Sequence, residues 1–320
     1  MCRVRLPTKV FEANLPKLLA ELARVDSCDK PVTLDFEGVE YWIPAAIVFA
    51  CSMVNRWTEQ ARPVHFANLE LCKACGYLQR MDFFERVGFC VPEHFIRHSP
   101  GTSFVEIQAV YPGVARLDEP LAKRLAGCLA GTTDPNNDVL RFSEYALGEV
   151  VANCQQHAEK PGYVSAQYMA SKNWARIGVA DYGIGLLESF RKNGSPYYRD
   201  GMNHTEALDT AMKPWVSSKT HITTGPYGSP SNRGIGLKMI QHMLAESLGE
   251  LFIASGNAWR HYQGQAAPVD GVLENDATIP GTVVSIRFDR SQIDDYCRIL
   301  AGAQQSMNLI TQPQDAIFFT

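Results

Sequence analysis

Short apolar runs and helical repeats of apolar residues alternate over the first hundred residues. Leucines recur at helical intervals in residues 11–22, and residues 44–57 form a longer apolar stretch that Pro44 can begin. Residues 32–36 and 63–67 are short runs of the kind that form strands, rich in β-branched and aromatic side chains. This alternation predicts a small sheet with helices packed on it.

The rest of the chain continues the pattern with longer elements. We expect strands at 103–110, 174–181, 250–256 and from Gly281, and helices at 117–130, 138–158, 205–212, after the run 234–236 and at 292–304. A segment with proline, glycine and serine at 97–101 separates these elements from the first group. We therefore predict two domains, residues 1–100 and residues 101–320, both of mixed α/β class.

Composition narrows the classes of partner. Of the 320 residues, 46% are hydrophobic and 20% are charged, which is typical of a globular protein with a substantial core. A net charge of −4 and the lack of a Lys/Arg-rich run argue against nucleic acid and acidic membranes as partners. The longest apolar run, residues 45–51, is far shorter than the roughly 20 residues of a spanning helix, and the N-terminus has no signal-peptide pattern. We therefore expect a cytoplasmic protein.

The nine cysteines are an odd number and are spread over both halves of the chain. This distribution favours reduced, buried thiols over a disulfide framework. One group has a second interpretation, because Cys72, Cys75, Cys90 and His94 have a spacing that a zinc site can use. Residues 69–87 carry apolar side chains at helical intervals, however, so we expect these cysteines to pack rather than to bind metal.

A polar stripe follows the helix predicted at residues 138–158. Glu149, Asn153 and His157 are four residues apart, so they lie on one face of that helix beside an apolar stripe. A solvated helix face is the ordinary explanation of such a stripe. Since the apolar stripe must pack inward, the polar stripe faces either solvent or a ligand.

Asp181 ends the strand predicted at residues 174–181, on the same face as alternate apolar residues of that strand. Its carboxylate therefore points into the layer between sheet and helices, where it needs a hydrogen-bond donor. Gly183 and Gly185 follow it and remove side chains where the backbone turns. An aspartate in a glycine-rich turn is common, so this motif alone does not define a ligand.

Gly234, Ile235, Gly236 and Leu237 open a further amphipathic helix. The free N–H groups and the positive dipole end of such a helix bind phosphate well. A dinucleotide-binding motif does not fit, because Met239 takes the place of the third glycine and no strand immediately precedes the motif.

The order and spacing of these three motifs resemble the GHKL ATPases, a group that includes DNA gyrase, the MutL repair proteins, heat-shock chaperones of the same fold and the histidine kinases. The resemblance covers residues 105–290. It implies a Bergerat-type two-layer α/β sandwich that binds ATP and Mg²⁺. It also implies that the long segment 186–233 is a lid that folds over the nucleotide.

The resemblance implies a role for each matching residue. Asn153 matches the residue that supplies an oxygen to Mg²⁺, and Glu149 matches the residue that polarises the attacking water and is the candidate general base. Asp181 matches the residue that accepts a hydrogen bond from the exocyclic amine of adenine. Gly183 and Gly185 match the glycines that let the purine approach the backbone.

The phosphate-binding and lid positions are implied in the same way. Residues 234–237 match the helix start that holds the phosphates, and Thr282 matches a threonine that contacts adenine directly or through water. Residues 217–219 resemble a Thr-Ser-Lys element of some members, so Lys219 is a candidate lid cation for the terminal phosphate, and Arg233 is a second one. An exposed, solvated charge is the alternative for both.

The first domain resembles, more loosely, the STAS domains of anti-sigma-factor antagonists, through residues 32–39 and the helix and strand that follow. In the phosphorylatable STAS proteins a Ser or Thr stands at the start of that helix. Here residues 43–46 contain no hydroxyl, so we expect a docking, scaffolding or dimerising module rather than a phosphoacceptor. This expectation includes a protein partner and a homodimer.

Three functions follow from these resemblances. We expect neither a sensor histidine kinase, because no helical hairpin with an acceptor histidine precedes the motifs, nor a gyrase or MutL relative, because only about thirty residues follow the closing strand. The first function is a regulatory ATPase that slowly hydrolyses Mg-ATP to switch a protein interface. The second is a serine/threonine kinase of the anti-sigma type acting on a partner, and the third is a nucleotide sensor without turnover.

Overall fold

The computed structural model describes residues 2–97, 103–113, 119–218 and 234–308. Within these residues, a parallel three-stranded sheet, a short two-stranded pairing and an antiparallel seven-stranded sheet are combined with helices. The predicted mixed α/β class is therefore confirmed. None of the helices in these residues is both long and apolar enough to cross a membrane.

Residues 2–97 are built around the parallel sheet. In chain order their elements are β1 (Cys2–Arg5), β2 (Lys9–Val10), α1 (Leu15–Asp26), β3 (Val32–Asp35), β4 (Tyr41–Trp42), α2 (Pro44–Glu59), β5 (Val64–Ala67), α3 (Cys75–Arg80) and α4 (Phe83–Arg86). Strand β3 is central, between β1 and β5. The helical stretch expected over residues 69–87 is divided, because Asp82 adopts a left-handed conformation with φ 60° between α3 and α4.

The later residues form the seven-stranded sheet and its helices. In chain order these are β6 (Phe104–Val110), α5 (Glu119–Ala130), α6 (Asp138–His157), β7 (Gly162–Met169), β8 (Trp174–Asp181), α7 (Gly185–Lys192), α8 (His204–Ala211), α9 (Gly236–Glu246), β9 (Glu250–Gly256), β10 (Ala258–Gln263), β11 (Val269–Val272), β12 (Ile279–Asp289) and α10 (Tyr296–Ser306). The strand order is β11-β10-β9-β12-β8-β7-β6, and every neighbouring pair is antiparallel.

Most boundaries agree with the hydrophobic pattern. Strands β8 and β9 have the predicted bounds. Strand β7 was not predicted; its first five residues are all buried, so it lacks the alternation that marks a half-buried strand. Helix α10 begins at Tyr296 rather than at residue 292, since the Asp295 side chain caps it by accepting from the N–H of Arg298. Helix α8, and helix α7 after its first residue, lie inside the segment 186–233 expected to be a lid.

The large sheet is covered on both faces. One face packs against α5, α6, α9 and α10 through residues such as Val179, Ile253 and Ile286. The opposite face packs against α1 and α2 through residues such as Ala180 and Phe252. Helices α1 and α2 therefore lie between the small sheet and the large one, and residues 2–97 share a hydrophobic core with the large sheet.

Two features of strand β8 account for this close packing. A side chain at Gly178 would place its Cβ 2.3 Å from the backbone nitrogen of Ala45, so only glycine lets α2 begin against the sheet. Next along the strand, the buried Arg176 guanidinium donates from Nε to Glu12 Oε1 at 3.0 Å. An ion pair so far from water fixes the chain before α1 on the sheet surface.

A disulfide joins Cys2, at the start of β1, to Cys28, just after α1. The expectation that all nine cysteines are reduced is therefore wrong for this pair, because the parallel sheet brings the start of β1 beside the end of α1. Among the described residues, the other cysteines, from Cys51 to Cys297, form no disulfide.

Candidate functional site

A pocket opens between helices α6, α7 and α9 and the ends of strands β8 and β12. It encloses about 880 Å³ of space, part of which is open to solvent. Seven of the residues predicted from the three motifs and the closing strand line it, namely Asn153, Asp181, Gly185, Gly234, Gly236, Leu237 and Thr282. Segments that are up to 130 residues apart in the chain therefore meet at one cavity.

Helix α6 supplies the pocket's polar stripe. Its N-terminus is capped by Asn137, whose side chain accepts from the N–H of Leu140 at 2.9 Å. The side chain of Asn153 lines the pocket and makes no hydrogen bond with any described residue, so its amide oxygen is free to bind a ligand there. An amide oxygen is the kind of donor that a hard cation such as Mg²⁺ accepts.

Glu149 lies one turn before Asn153 and does not itself line the cavity, although its neighbour Gly236 does. A Cβ placed on Gly236 would lie 1.8 Å from Glu149 Oε2, so the carboxylate rests directly against the first residue of α9. Burial raises the pKa of Glu149 above its ordinary value, and among the described residues nothing donates a hydrogen bond to it. A desolvated carboxylate without a fixed partner is a stronger base than an exposed one.

Asp181 is the most strongly perturbed acid of the site. Asp181 is only 5% exposed, and burial raises the pKa of its carboxyl group to about 7, although the backbone N–H groups of Gly183 and Thr282 favour the ionised form. The Gly183 N–H lies 2.9 Å from Asp181 Oδ1. The backbone of Gly281 passes so close that a Cβ there would lie 2.3 Å from the same oxygen. The carboxyl group is thus held rigidly at the wall of the cavity.

The two glycines after Asp181 have different functions. Gly183 lies outside the cavity. A Cβ on it would lie 1.8 Å from the carbonyl oxygen of Ala158, so only glycine lets this turn pack against the end of α6. Gly185 lines the pocket and has φ +69°, a backbone conformation that residues other than glycine rarely adopt. The sharp turn therefore brings backbone, rather than side chains, to the cavity.

The start of α9 forms another wall. Gly234 has φ +66°, and its missing side chain makes room for the backbone of Val216, whose N–H donates to the Gly234 carbonyl at 3.1 Å. Helix α9 begins at Gly236, so free N–H groups of its first turn lie at the cavity. Ile235 does not line the cavity and is instead buried in the core below it.

Ser255, at the end of β9, was not among the predicted residues. Its hydroxyl donates to the Gly281 carbonyl and accepts from the N–H of Leu186, both at 2.9 Å, and lies 3.4 Å from the hydroxyl of Thr282. It thus joins β9, the start of β12 and helix α7 around the Asp181 wall. A serine near a strand end carries no sequence signal of this connection.

A second hydrogen-bonded cluster, of two serine hydroxyls and one histidine, connects three segments of the chain at the cavity. Ser218 Oγ lies 3.0 Å from Nδ1 of His157 on α6 and 2.8 Å from Oγ of Ser189 on α7. All three side chains line the pocket. The polar stripe of the sequence includes His157, but nothing in the local sequence pairs it with Ser218 or Ser189.

The other predicted positions lie elsewhere. Lys219 and Arg233 lie outside the described residues. Cys72 is buried, which raises its thiol pKa to about 11, whereas Cys90 is exposed. In the ranges that the structure describes, which include Cys72, Cys75, Cys90 and His94, no three His, Cys, Asp or Glu side chains are grouped to hold a metal ion.

Comparison of the chain with protein-family models, with curated proteins and with solved structures gave no match. The pocket itself combines several chemical groups. Its features are a buried carboxyl at one end, a helix start with free N–H groups and a basic carboxylate at the other, and an uncommitted amide between them.

Proposed function

We propose that the chain is an ATP-binding regulatory protein with a GHKL-type, Bergerat-fold domain that binds and slowly hydrolyses Mg-ATP. The observation that carries the proposal is the convergence of Asn153, Asp181, Gly234, Gly236 and Thr282 on one cavity. They come from distant parts of the sequence and meet at this one cavity. Each also has a chemical counterpart in a nucleotide.

The base would lie at the Asp181 end. Asp181 is an acceptor held in place by backbone contacts, and the exocyclic amine of adenine is a donor that would satisfy it. Thr282 stands beside it at the start of β12. Apolar side chains such as Val179 and Ile253 line the adjacent wall, where an aromatic base can be desolvated.

The phosphates would lie at the start of α9. N–H groups at residues 234–237 and the positive end of the α9 dipole favour an anion there. Asn153 would hold Mg²⁺ through its free amide oxygen. When bound, Mg²⁺ neutralises charge that develops on the transferred phosphoryl group.

Glu149 is the base that we assign to hydrolysis. Its carboxylate rests against Gly236 at the phosphate end, and burial raises its pKa. Such a group can accept a proton from a water molecule that attacks the terminal phosphorus. Its place beside Gly236 and its raised pKa support this proposed role.

A serine/threonine kinase acting on a partner is the second candidate. Residues 2–97 resemble a STAS domain, but they pack on the sheet face opposite α6 and α9, and no residue of that range lines the cavity. A phosphoryl acceptor in this arrangement would belong to another molecule. In either case we propose that residues 2–97 act as a module for a protein partner.

Calorimetry tests nucleotide binding directly. The protein is titrated with ATP and with purine riboside triphosphate, both in excess Mg²⁺; the second ligand differs from ATP only in lacking the 6-amino group of the base. We expect ATP to bind at least about tenfold more tightly, because purine riboside leaves the buried Asp181 without its donor. An absence of binding heat with ATP for folded protein would overturn the proposal.

Incubation with ATP labelled at the γ-phosphate distinguishes the candidates. Release of labelled phosphate by the protein alone supports the ATPase. Label transferred to a serine or threonine of a partner captured from the host supports the kinase. Binding without either product would leave the nucleotide sensor as the function.

A further inference from the structure

The cavity contains more polar side chains than the base, the phosphates and the metal ion of the proposed ligand would need. Asn153, Asp181 and Thr282 have proposed partners in Mg-ATP. His157, Ser189 and Ser218 also line the cavity, and they are linked by the hydrogen bonds described above. Ser189 and Ser218 are only 3% and 6% exposed. Their hydroxyls therefore serve the cavity rather than the surface.

Helix α6 shows where this cluster lies along the cavity. Glu149 marks the phosphate end by its contact with Gly236, and Ala158 marks the base end by its contact with Gly183. The rise of 1.5 Å per residue places His157 about 12 Å from Glu149 along the axis. His157 is therefore close to the base end, whereas Ser218 follows by two residues the Val216 that contacts Gly234, so the cluster lies between the base and the phosphates.

The position of Ser189 on α7 also places the cluster near the base end of the cavity. Ser189 lies one turn after Gly185, which stands beside Gly281 and Ser255 at the Asp181 wall. The cluster thus flanks the base, on the wall formed by α6, α7 and residue Ser218. In a nucleotide, the polar groups next to the base are the hydroxyls of the sugar.

We propose that His157, Ser189 and Ser218 form a subsite for the sugar hydroxyls, so that the site prefers ribonucleotides to deoxyribonucleotides. Hydroxyl and imidazole groups both donate and accept hydrogen bonds, as a vicinal diol requires. A ribose seated there replaces hydrogen bonds within the cluster by hydrogen bonds to ligand. This inference rests on the proposed nucleotide site and adds its sugar specificity.

The test compares three ligands in excess Mg²⁺, namely ATP, 2′-deoxy-ATP and 3′-deoxy-ATP, by calorimetry on the full chain. We expect at least one deoxy analogue to bind wild type about three- to tenfold more weakly, the effect of one neutral hydrogen bond. Ser218→Ala should bind all three ligands alike, and Ser218→Thr, which keeps the hydroxyl, should restore the preference. Ser247→Ala is the control, since this buried serine on the far end of α9 bonds only to backbone of its own helix.

The ratio of affinities, rather than affinity itself, decides the outcome. If wild type binds the three nucleotides equally, the sugar subsite is overturned while the ATP site stands. If Ser218→Ala weakens all ligands but keeps the preference for ATP, Ser218 is only a structural contact and the subsite is again overturned. If no nucleotide binds to wild type, the proposed function itself fails together with this inference.

Discussion

At the scale of single residues, the cavity depends on two buried carboxyl groups whose surroundings differ. Asp181 is held by backbone donors and closed in by Gly281, whereas Glu149 has no described donor. Burial raises the pKa of both. In the proposed function, Asp181 is the fixed recognition group and Glu149 is the group that exchanges a proton.

Replacement of Glu149 by alanine should separate binding from turnover. We expect Glu149→Ala to lower the hydrolysis rate by about a hundredfold or more, since a positioned general base contributes on that order. Calorimetry should show ATP binding retained. Glu144→Ala, an exposed glutamate on the same helix, is the matched control and should hydrolyse ATP at the wild-type rate. Turnover that survives in Glu149→Ala would show that another group is the base.

Asp181 should make the stability of the nucleotide-free protein depend on pH. Its folded pKa, about 7, is above the ordinary value of 3.8, so the folded state binds this proton more tightly than the unfolded state. The contribution of Asp181 to the free energy of unfolding is therefore full below about pH 4 and is lost as pH rises to about 7. Asp181→Asn should remove this loss, measured as the free energy of unfolding in urea across that range.

Asp289→Asn is the control with the opposite sign. Hydrogen bonds from Ser291 and Asn173 lower the pKa of Asp289, so its contribution is present at neutral pH and is lost as pH falls. The difference between wild type and each variant isolates one carboxyl group. Identical pH profiles for wild type and Asp181→Asn would contradict the assigned burial of Asp181.

At the scale of elements, β8 is the strand on which both halves of the molecule depend. Its one face carries Asp181 into the cavity, and its other face receives the start of α2 at Gly178. Tyr182, directly after the strand, donates its hydroxyl proton to Glu59 at the end of α2 at 2.6 Å. Helix α2 is therefore bound to the strand near its middle and at its end.

Glycine-to-alanine changes test the contact between α2 and β8. In Gly178→Ala the new methyl group would meet the Ala45 backbone at 2.3 Å, so we expect a loss of about 1–3 kcal/mol in the free energy of unfolding. Gly148→Ala is the matched control, because its Cβ on α6 meets nothing within 4 Å and alanine favours a helix. It should stabilise by up to about 1 kcal/mol. Equal stabilities of the two variants by urea denaturation would contradict the close packing.

At the scale of the whole molecule, residues 2–97 form a layer on the large sheet. The buried pair of Arg176 and Glu12 joins residues 164 positions apart, and Ser285 on β12 lies 3.5 Å from the same carboxylate. A protein partner bound to this layer would therefore contact a body that includes strand β8. The structure provides a continuous connection from that layer to Asp181.

Removal of one partner of the buried pair should be costly. Glu12→Gln leaves the Arg176 guanidinium charged and desolvated, so we expect the free energy of unfolding to fall by about 3–5 kcal/mol. The exposed pair of Arg191 and Glu188 supplies the control, since water screens it. Thermal unfolding of Glu188→Gln should resemble wild type. A similar result for Glu12→Gln would mean that the two parts do not depend on this contact.

Local pattern and the resemblance together predicted many elements and seven of the residues that line the cavity. The bounds of β8 and β9 follow from alternation, and Asp181, Asn153 and Gly236 stand at positions that local chemistry makes conspicuous. Strand β7 was missed because it is buried on both faces, and the break at Asp82 was missed because apolar spacing continues across it. Ser255 and Ser189 were missed because serine is frequent and only their three-dimensional neighbours give them a role.

The sequence by itself determined where most of the helices and strands form and which of their side chains face inward, because these properties depend on neighbours a few residues away. Only the tertiary structure decided that residues 2–97 cover the outer face of the large sheet, that Cys2 meets Cys28, and that Ser218 meets His157. Such contacts join residues that no local periodicity relates. They depend on how whole faces, once formed, exclude water together.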